Sequence, residues 1–486
     1  MGDASVQPSG AEVPPAGAPV RGTMAQLLDA TQGKLVRGRA EGVFREIVID
    51  SRRAAPGDVF VAIRGQRLDG HQFVDEAAHH GATCLVVSEV PRSVNGASAL
   101  PTILVEDTTE ALGNLARYHR RRIGATVIAV TGSCGKTTTK DLIAHLIDGS
   151  RRVHKSFSSF NNHIGVPLTL LQLQPDHQVA VVELGSNHPG EIAYLASIAE
   201  PDAAVITNVG PSHLEFFGSL MEVLHEKLSL LESLPVEGCA VLPGDQLDVC
   251  LEARQYLEPH VRVVTFGSTD RCDIQATDIE RVEGGMAMRL RDHHGQWVTP
   301  LVGYHNMENA LAALAAAWAV GMPLSAARRR IGSFQAATMR SELLARDGLT
   351  ILNDCYNANP LSFARALEAL RDLTVRRKVA IVGDMLELGT FAPSAHRAIG
   401  RLATQLGIDT VLAVGEYAEE VALGVRELRP EGALTYHSVT ELLAMLPSVL
   451  QRGDGLLIKG SRRMNLEQVT EFLVQRYPSL DDAHAG

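Results

Sequence analysis

The sequence predicts an α/β protein of three segments built on parallel sheets. Short apolar runs alternate with helix-period stretches along most of the chain. The run at 125–131 (ATVIAVT) passes directly into a glycine-rich turn and then an amphipathic helix. Later apolar runs end in polar loops, as buried strands of a sheet covered on both faces do. At 486 residues the chain has room for two to four domains of roughly 100–200 residues each.

The elements follow in order. Residues 1–22 are rich in Pro, Gly, Ala and Ser and are expected to form a disordered tail. From 23 to 123, β runs at 58–63 and 84–87 alternate with helical stretches such as 73–80. The second segment has strands expected at 125–131, 179–184 and 203–207. An antiparallel excursion is expected at 273–302, with turns at Gly284-Gly285 and His293-His294-Gly295. The third segment, from about 338, repeats the rhythm at 378–382, 410–414 and 455–458. In open α/β sheets, function lies in the loops at the carboxyl ends of strands.

Composition excludes several classes. A net charge of −11 argues against a general nucleic-acid-binding surface. Six cysteines without CxxC spacing fit neither a disulfide framework nor a zinc site, and suit a reducing cytoplasm. No apolar run reaches the roughly 18–20 residues of a membrane span, and the N-terminus lacks signal-peptide order. A cytoplasmic protein is the expectation.

Thr131-Gly132-Ser133-Cys134-Gly135-Lys136-Thr137-Thr138-Thr139 lies between a strand and a helix. Glycines let backbone N–H groups close around phosphate oxygens, and the helix N-terminus adds partial positive charge. Lys136 is placed to reach β/γ-phosphates, and the Thr137 hydroxyl to ligate Mg²⁺. The place of the first glycine in the usual spacing is taken by Val130. The alternative, a glycine turn that merely caps a helix, does not explain strand, Gly-Lys-Thr and helix together. Glu183 ends an apolar strand, where an acidic residue can hold Mg²⁺ beside such a loop, or be an ordinary surface carboxylate. His213 follows the next strand. Both stand at strand ends of one sheet, which favours metal work. Lys227, in Leu224-His225-Glu226-Lys227-Leu228, reads from its spacing alone as a solvated helix lysine.

Further motifs stand in a recognisable order: Asp50-Ser51-Arg52, Arg64-Gly65-Gln66-Arg67-Leu68-Asp69-Gly70-His71-Gln72-Phe73, the phosphate loop, and Asn161-Asn162-His163-Ile164-Gly165-Val166-Pro167. Glu183-Leu184-Gly185-Ser186, Tyr304-His305-Asn306-Met307-Glu308-Asn309, Asp354-Cys355-Tyr356-Asn357-Ala358-Asn359-Pro360 and Lys459-Gly460-Ser461-Arg462 follow. In this set the chain resembles the Mur ligases, which build the peptide stem of bacterial cell-wall precursors, from about 50 to 467. Tyr356 to Pro360 and Gly383-Asp384-Met385-Leu386-Glu387-Leu388-Gly389 are most similar to the member that adds the final dipeptide.

The resemblance implies a UDP-sugar-binding domain (23–123), a central ATP-binding domain (124–337) and a C-terminal Rossmann-like domain (338–486). It implies ATP-dependent addition of D-alanyl-D-alanine to UDP-MurNAc-tripeptide through an acyl phosphate, by a monomer with small-molecule partners. ATP and Mg²⁺, two ions, are the implied cofactors. Gly132, Ser133, Cys134, Gly135, Lys136, Thr137 and Thr138 would grip the phosphates; Thr137, Glu183 and His213 would hold metal. Lys227 aligns with a family lysine that becomes carbamylated and serves beside the metal, although the usual Ala-Lys-Gly-Glu surroundings are absent. Lys136, Lys227 and His213 would thus be the catalytic set. His305, Asn306 and Asn309 would meet adenine, and Arg340 and Asp354 the nucleotide; Asn353 stands where an acidic residue is usual. Ser51, Arg52, Asp69, Gly70, His71 and Asn161 would contact the uridine substrate. Tyr356, Asn357 and Asn359 would line the dipeptide pocket, and Lys459 and Ser461 would hold a substrate carboxylate. Cys134 is expected to fill space. The rival readings are a sister amide ligase, such as a folylpolyglutamate synthase, and a P-loop switch or motor; the Asp69–Phe73 loop with the later two motifs disfavours the first, and the lack of an Asn-Lys-x-Asp motif the second.

Overall fold

The computed structural model describes residues 20–65, 67–91 and 100–478, so most of the expected tail and Gln66 of the Arg64–Phe73 motif lie outside the described residues. The last tail residues are ordered. Val20 is buried, and Gly22–Thr23 pairs antiparallel with Val43–Phe44. Gly22 permits this because a Cβ there would lie 2.7 Å from the Phe44 ring.

The chain forms two compact units. The first comprises Met1–Thr126 and His154–Val182. Its five-stranded sheet runs Lys34–Arg37, Thr102–Leu104, Cys84–Val87, Val59–Val61, Ile47–Val48, parallel except at the Lys34–Arg37 edge. Val59, Val61, Leu85, Val86 and Val87 are completely buried. The segment after residue 153 belongs here because its helix Gly165–Leu171 packs against Thr108–Ile123, and buried His119 bonds Leu173 O at 2.9 Å.

The second unit comprises Val127–Val153 and Glu183–Gly486 and carries two sheets. Its first run of strands is His293–Thr299, Gly285–Leu290, Ile274–Val282, Arg262–Gly267, Cys239–Pro243, Ala203–Ile206 and Thr126–Thr131. Val127 to Val130 are fully buried, as the continuous apolar run requires, at roughly 1.5–3 kcal/mol for each large side chain. The alanine-rich helix Tyr304–Ala319 is buried on nearly every face. The second sheet runs Glu342–Arg346, Leu349–Asn353, Asp454–Lys459, Arg377–Gly383, Thr410–Val414, Ala433–Tyr436, parallel except at its Glu342–Arg346 edge. Two apolar clusters cover its faces, one centred on Phe363, Leu367 and Val411, the other on Ile381, Leu412 and Leu456.

The expected antiparallel excursion is present, but its second turn is displaced. Arg291 and Asp292 make the turn, and His293, His294 and Gly295 lie within the strand His293–Thr299. Asp292 takes the left-handed conformation (φ 62°), which short polar side chains tolerate, so the chain reverses two residues early. Gly295 instead admits Arg328, whose guanidinium nitrogen would sit 2.2 Å from a Cβ there.

Candidate active site

The site is built outward from the turn at 132–135. Gly132 (φ 143°) and Gly135 (φ 80°) occupy conformations that glycine alone adopts freely. A Cβ on Gly132 would lie 2.1 Å from Thr207 Oγ1, and one on Gly135 2.0 Å from Asn309 Oδ1. The turn is therefore enclosed from both sides by side chains that need the missing Cβ. Helix Lys136–Ile147 starts immediately, with Gly135 as its N-cap and no side-chain cap. Its first N–H groups are accordingly available to an anion.

The loop after strand Ala203–Ile206 wraps the turn with alternate residues. Asn208 Oδ1 accepts from Cys134 N (3.0 Å), while its Nδ2 donates to Cys134 O (3.0 Å). Ser133 Oγ donates to Gly210 O (2.8 Å), and Ser212 Oγ stands 3.3 Å from Ser133 Oγ. Gln246 holds the opposite side, bonding Val209 through both its N–H and its C=O.

Lys136 Nζ bends over the turn and donates to Gly132 O at 2.7 Å. Burial pushes its ammonium down from the ordinary value, opposed chiefly by the Glu183 carboxylate. Thr137 Oγ donates to Glu183 Oε2 at 2.7 Å, and both residues are buried. Glu183 reaches this place because Leu184 N bonds Val130 O, keeping its strand end beside the turn. Thr138 follows in the first helical turn and is partly buried. No cluster of three His, Cys, Asp or Glu able to hold a metal occurs among the described residues. Thr137 and Glu183 nonetheless fit Mg²⁺, which takes one or two carboxylates and completes its shell with phosphate oxygens and water.

Lys227, on helix Leu220–Leu228, is only 1% exposed, so its reading as a solvated helix lysine is overturned. It faces inward because Val223, Leu224 and Leu228 bury that side of the helix. Its Nζ donates to Ser186 Oγ at 2.7 Å, and burial, then the charge of Lys136, lowers it to about 7. The preceding Glu226 accepts N–H bonds from Gly190 and Ile192, capping helix Glu191–Ala199 with a buried carboxylate.

His213 (φ 50°) and Glu387 (φ 62°) are both non-glycine residues in the left-handed region, with Nδ1 and Oε2 2.5 Å apart. Glu215 N donates to Glu387 O, closing the contact through the backbone. The imidazole holds the Glu387 carboxyl below its ordinary value.

Asn306 and Asn309 are buried and bonded to protein: Asn306 Nδ2 to Val302 O, Asn309 Nδ2 to Asn306 Oδ1, and Thr139 Oγ1 to Asn309 Oδ1. They brace the back of the turn. His305 Nε2 lies 3.2 Å from Ser341 Oγ. Arg340 stacks on Tyr356, its guanidinium 3.9 Å from the ring centre. Asp354 accepts from Ser341 N (2.9 Å) and from Lys459 Nζ (2.5 Å), and Lys459 also donates to Asn357 O (3.0 Å). Lys459 is thus a buried structural cation rather than an exposed one. Asn359 caps helix Pro360–Arg371 reciprocally with Ser362 and follows the Pro-at-N1 pattern. The same Asn359 side chain accepts from Cys134 Sγ (3.3 Å) and lies 3.4 Å from Ser133 O. The thiol, expected only to fill space, is a hydrogen-bond partner; burial raises its pKa. Ser461 Oγ accepts from Leu386 N (2.9 Å).

The uridine candidates lie in the first unit. Asp69 caps the turn Gly70–Phe73, accepting from His71 N; its carboxylate also meets His71 Nδ1 at 2.6 Å and Arg64 Nε at 3.1 Å. Those bonds hold its carboxyl down at about 2. A Cβ on Gly70 would lie 2.7 Å from Ile63 N. Ser51 Oγ donates to Glu76 Oε2 (2.6 Å), and Arg52 pairs with Asp50. Asn161 stands in the loop ahead of helix Gly165–Leu171.

Four participants escaped the sequence reading: Asn208, Ser186, Glu226 and Glu387. Ser186 and Glu387 stood inside quoted motifs, Glu226 beside Lys227 and Asn208 just past the strand expected at 203–207, but spacing gives no sign that Glu226 and Asn208 bond backbone.

A parallel sheet whose strand turns through glycines into a helix, with Lys, Thr and a strand-end Glu converging, defines a P-loop nucleotide-binding enzyme. Three family models match: "Mur ligase family, catalytic domain" over 43–120, "Mur ligase middle domain" over 130–317, and "Mur ligase, glutamate ligase domain" over 339–462. The chain is 36% identical over 459 residues to the UDP-N-acetylmuramoyl-tripeptide–D-alanyl-D-alanine ligase of Escherichia coli, covering 93% of this chain and 98% of that one. A crystal structure of MurF from Acinetobacter baumannii superposes with a TM-score of 0.86 at 30% identity, covering 94% and 99%. MurF ligase from Thermotoga maritima in complex with ADP gives 0.79 at 28%, covering 88% and 97%. The chain belongs to the Mur ligase family. No helix among the described residues is long and apolar enough to cross a membrane.

Proposed function

We propose that the chain joins D-alanyl-D-alanine to UDP-MurNAc-tripeptide at the expense of ATP, in building peptidoglycan precursors. The observation that carries this reading is the contact of Asn359 with Ser133 and Cys134. It brings the loop of Tyr356, Asn357 and Asn359 against the phosphate loop, where amide ligation needs the amine and the activated carboxyl together. The sequence likeness to the E. coli ligase and the ADP complex of the T. maritima relative support the same assignment.

A carboxylate resists attack by an amine. Phosphorylation by ATP converts it to an acyl phosphate; the amine then attacks the acyl carbon, and phosphate departs from the tetrahedral intermediate. The residues at 132–138 bind the phosphates, with Lys136 neutralising the transferring oxygens. Thr137, Glu183 and His213 would hold two Mg²⁺ ions, which supply further neutralisation of phosphate charge when bound. Lys227 would be the carbamylated residue, its neutral amine adding carbon dioxide with loss of a proton; the burial that lowers its pKa supports this reading, and Ser186 Oγ lies 2.7 Å from its Nζ. Arg340 and Asp354 would contact the nucleotide, and Tyr356 and Asn357 the dipeptide. Ser51, Arg52, Asp69, Gly70, His71 and Asn161 would take the uridine substrate. We assign the domain limits 23–123, 124–337 and 338–486, a monomer, a cytoplasmic location, small-molecule partners and no nucleic acid to the same reading.

The test is phosphate release from ATP and Mg²⁺ with UDP-MurNAc-tripeptide, adding or omitting D-alanyl-D-alanine. Release that needs both, with a pentapeptide product by mass, is expected. Release indifferent to the dipeptide overturns the assignment.

A further inference from the structure

We infer that Glu387 is a positioning residue for His213: its carboxylate binds Nδ1–H and leaves the Nε2 lone pair to face a divalent ion at the phosphate loop. The inference rests on the reading of His213 given under Proposed function. An ionised carboxylate only accepts, so the proton of this 2.5 Å bond sits on His213 Nδ1. No hydrogen bond to Nε2 is present among the described residues. A histidine whose one nitrogen is held by a carboxylate, with the other bare, is the arrangement that fixes tautomer and ring direction in metal ligation.

Two further features show that the pair is built rather than incidental. Both residues hold left-handed backbone conformations that their side chains disfavour, so surrounding contacts must impose them. Those contacts come from both partners' segments. Ser212, one residue before His213, reaches Ser133 of the phosphate loop. Glu387 follows a stretch pinned by Ser461 Oγ on Leu386 N and by His396 Nε2 on Met385 N, and a Cβ on Gly389 would lie 3.4 Å from Glu215. The carboxylate belongs to the part matched by the glutamate ligase model, and the imidazole to the part matched by the middle-domain model. The bond therefore makes the metal-side tautomer depend on the docking of the 383–389 loop.

The experiment uses the full chain with ¹⁵N-labelled histidine, comparing the native protein with E387A, E387Q and H213A. Ring tautomers are read by NMR, H213A identifying the His213 signals among the 18 histidines. Mn²⁺ affinity in the presence of ADP is read by EPR, and melting temperatures control for folding. We expect native His213 as the Nδ1–H tautomer, and E387A to release it to a mixture with Mn²⁺ affinity weakened roughly 10–100-fold. E387Q, whose amide oxygen still accepts, should keep the tautomer and recover part of that affinity. Unchanged tautomer and affinity in E387A, with H213A weakened, overturns the role of Glu387. Unchanged Mn²⁺ affinity in H213A overturns the metal reading of His213 itself. Equal melting losses in E387A and E387Q with an unmoved tautomer would make the pair a structural latch and overturn the inference.

Discussion

Lys227 Nζ lies 2.7 Å from Ser186 Oγ in a position only 1% exposed, and no carboxylate among the described residues is bonded to it. A charged ammonium so placed is costly, and the cost changes with pH. The folded protein releases this proton near 7, against 10.5 ordinarily. Between those values the unfolded chain binds more protons, so stability contributed here rises as pH climbs from about 7 towards 10.5. Below about 7 the penalty is fully present. K227M should therefore raise the melting temperature most near pH 6, with the gain shrinking towards pH 9. A difference independent of pH would reject this account. If Lys227 serves beside the metal as proposed, the same variant should also lose at least about tenfold in turnover.

Gly135 cannot carry a side chain. Its φ of 80° and the 2.0 Å approach of Asn309 Oδ1 predict that G135A costs on the order of 1–3 kcal/mol. The rise in melting temperature produced by ADP should vanish with it. Adding N309A should restore part of the stability, because it removes the collision but not the backbone strain. Native-like melting and ADP response in G135A would show that the turn is not held as described.

Asn359 has separable duties. N359A removes a helix cap and should cost about 1 kcal/mol in chemical denaturation. N359D keeps the cap on Ser362 N, so its stability should stay within about 0.5 kcal/mol of native. Its added negative charge beside Ser133 and Cys134 should raise KM for ATP. Equal destabilisation by both variants would deny the cap.

Lys459, 2% exposed, pairs with the partly buried Asp354. D354N leaves the Lys459 ammonium without its counter-charge and should cost roughly 3–5 kcal/mol. The double variant D354N/K459M should recover most of that stability while remaining defective in turnover. A double variant as unstable as the single would mean that the loss comes from packing rather than from the unpaired charge.

Much of this molecule is legible in the sequence. Strands such as Thr410–Val414 and Cys84–Val87 are bounded by their own apolar runs, and Gly132 to Thr137 declare a phosphate turn by residue type and spacing alone. The site is partly legible for the same reason: Glu183 ends a strand beside that turn. The displaced hairpin turn was not, because Asp292 and Gly295 both tolerate positive φ, and the packing of Arg328 against Gly295 decides between them.

Periodicity, glycine turns, helix caps and the residue types that could meet phosphate are local properties, written along the chain. Folding alone buries Lys227 on Ser186, joins Glu387 to His213 across 174 positions and brings Asn359 to Cys134 across 225. Burial and pairing of this kind depend on which faces the sheets bring together. A lysine's spacing on its helix carries no record of the helix that will cover it.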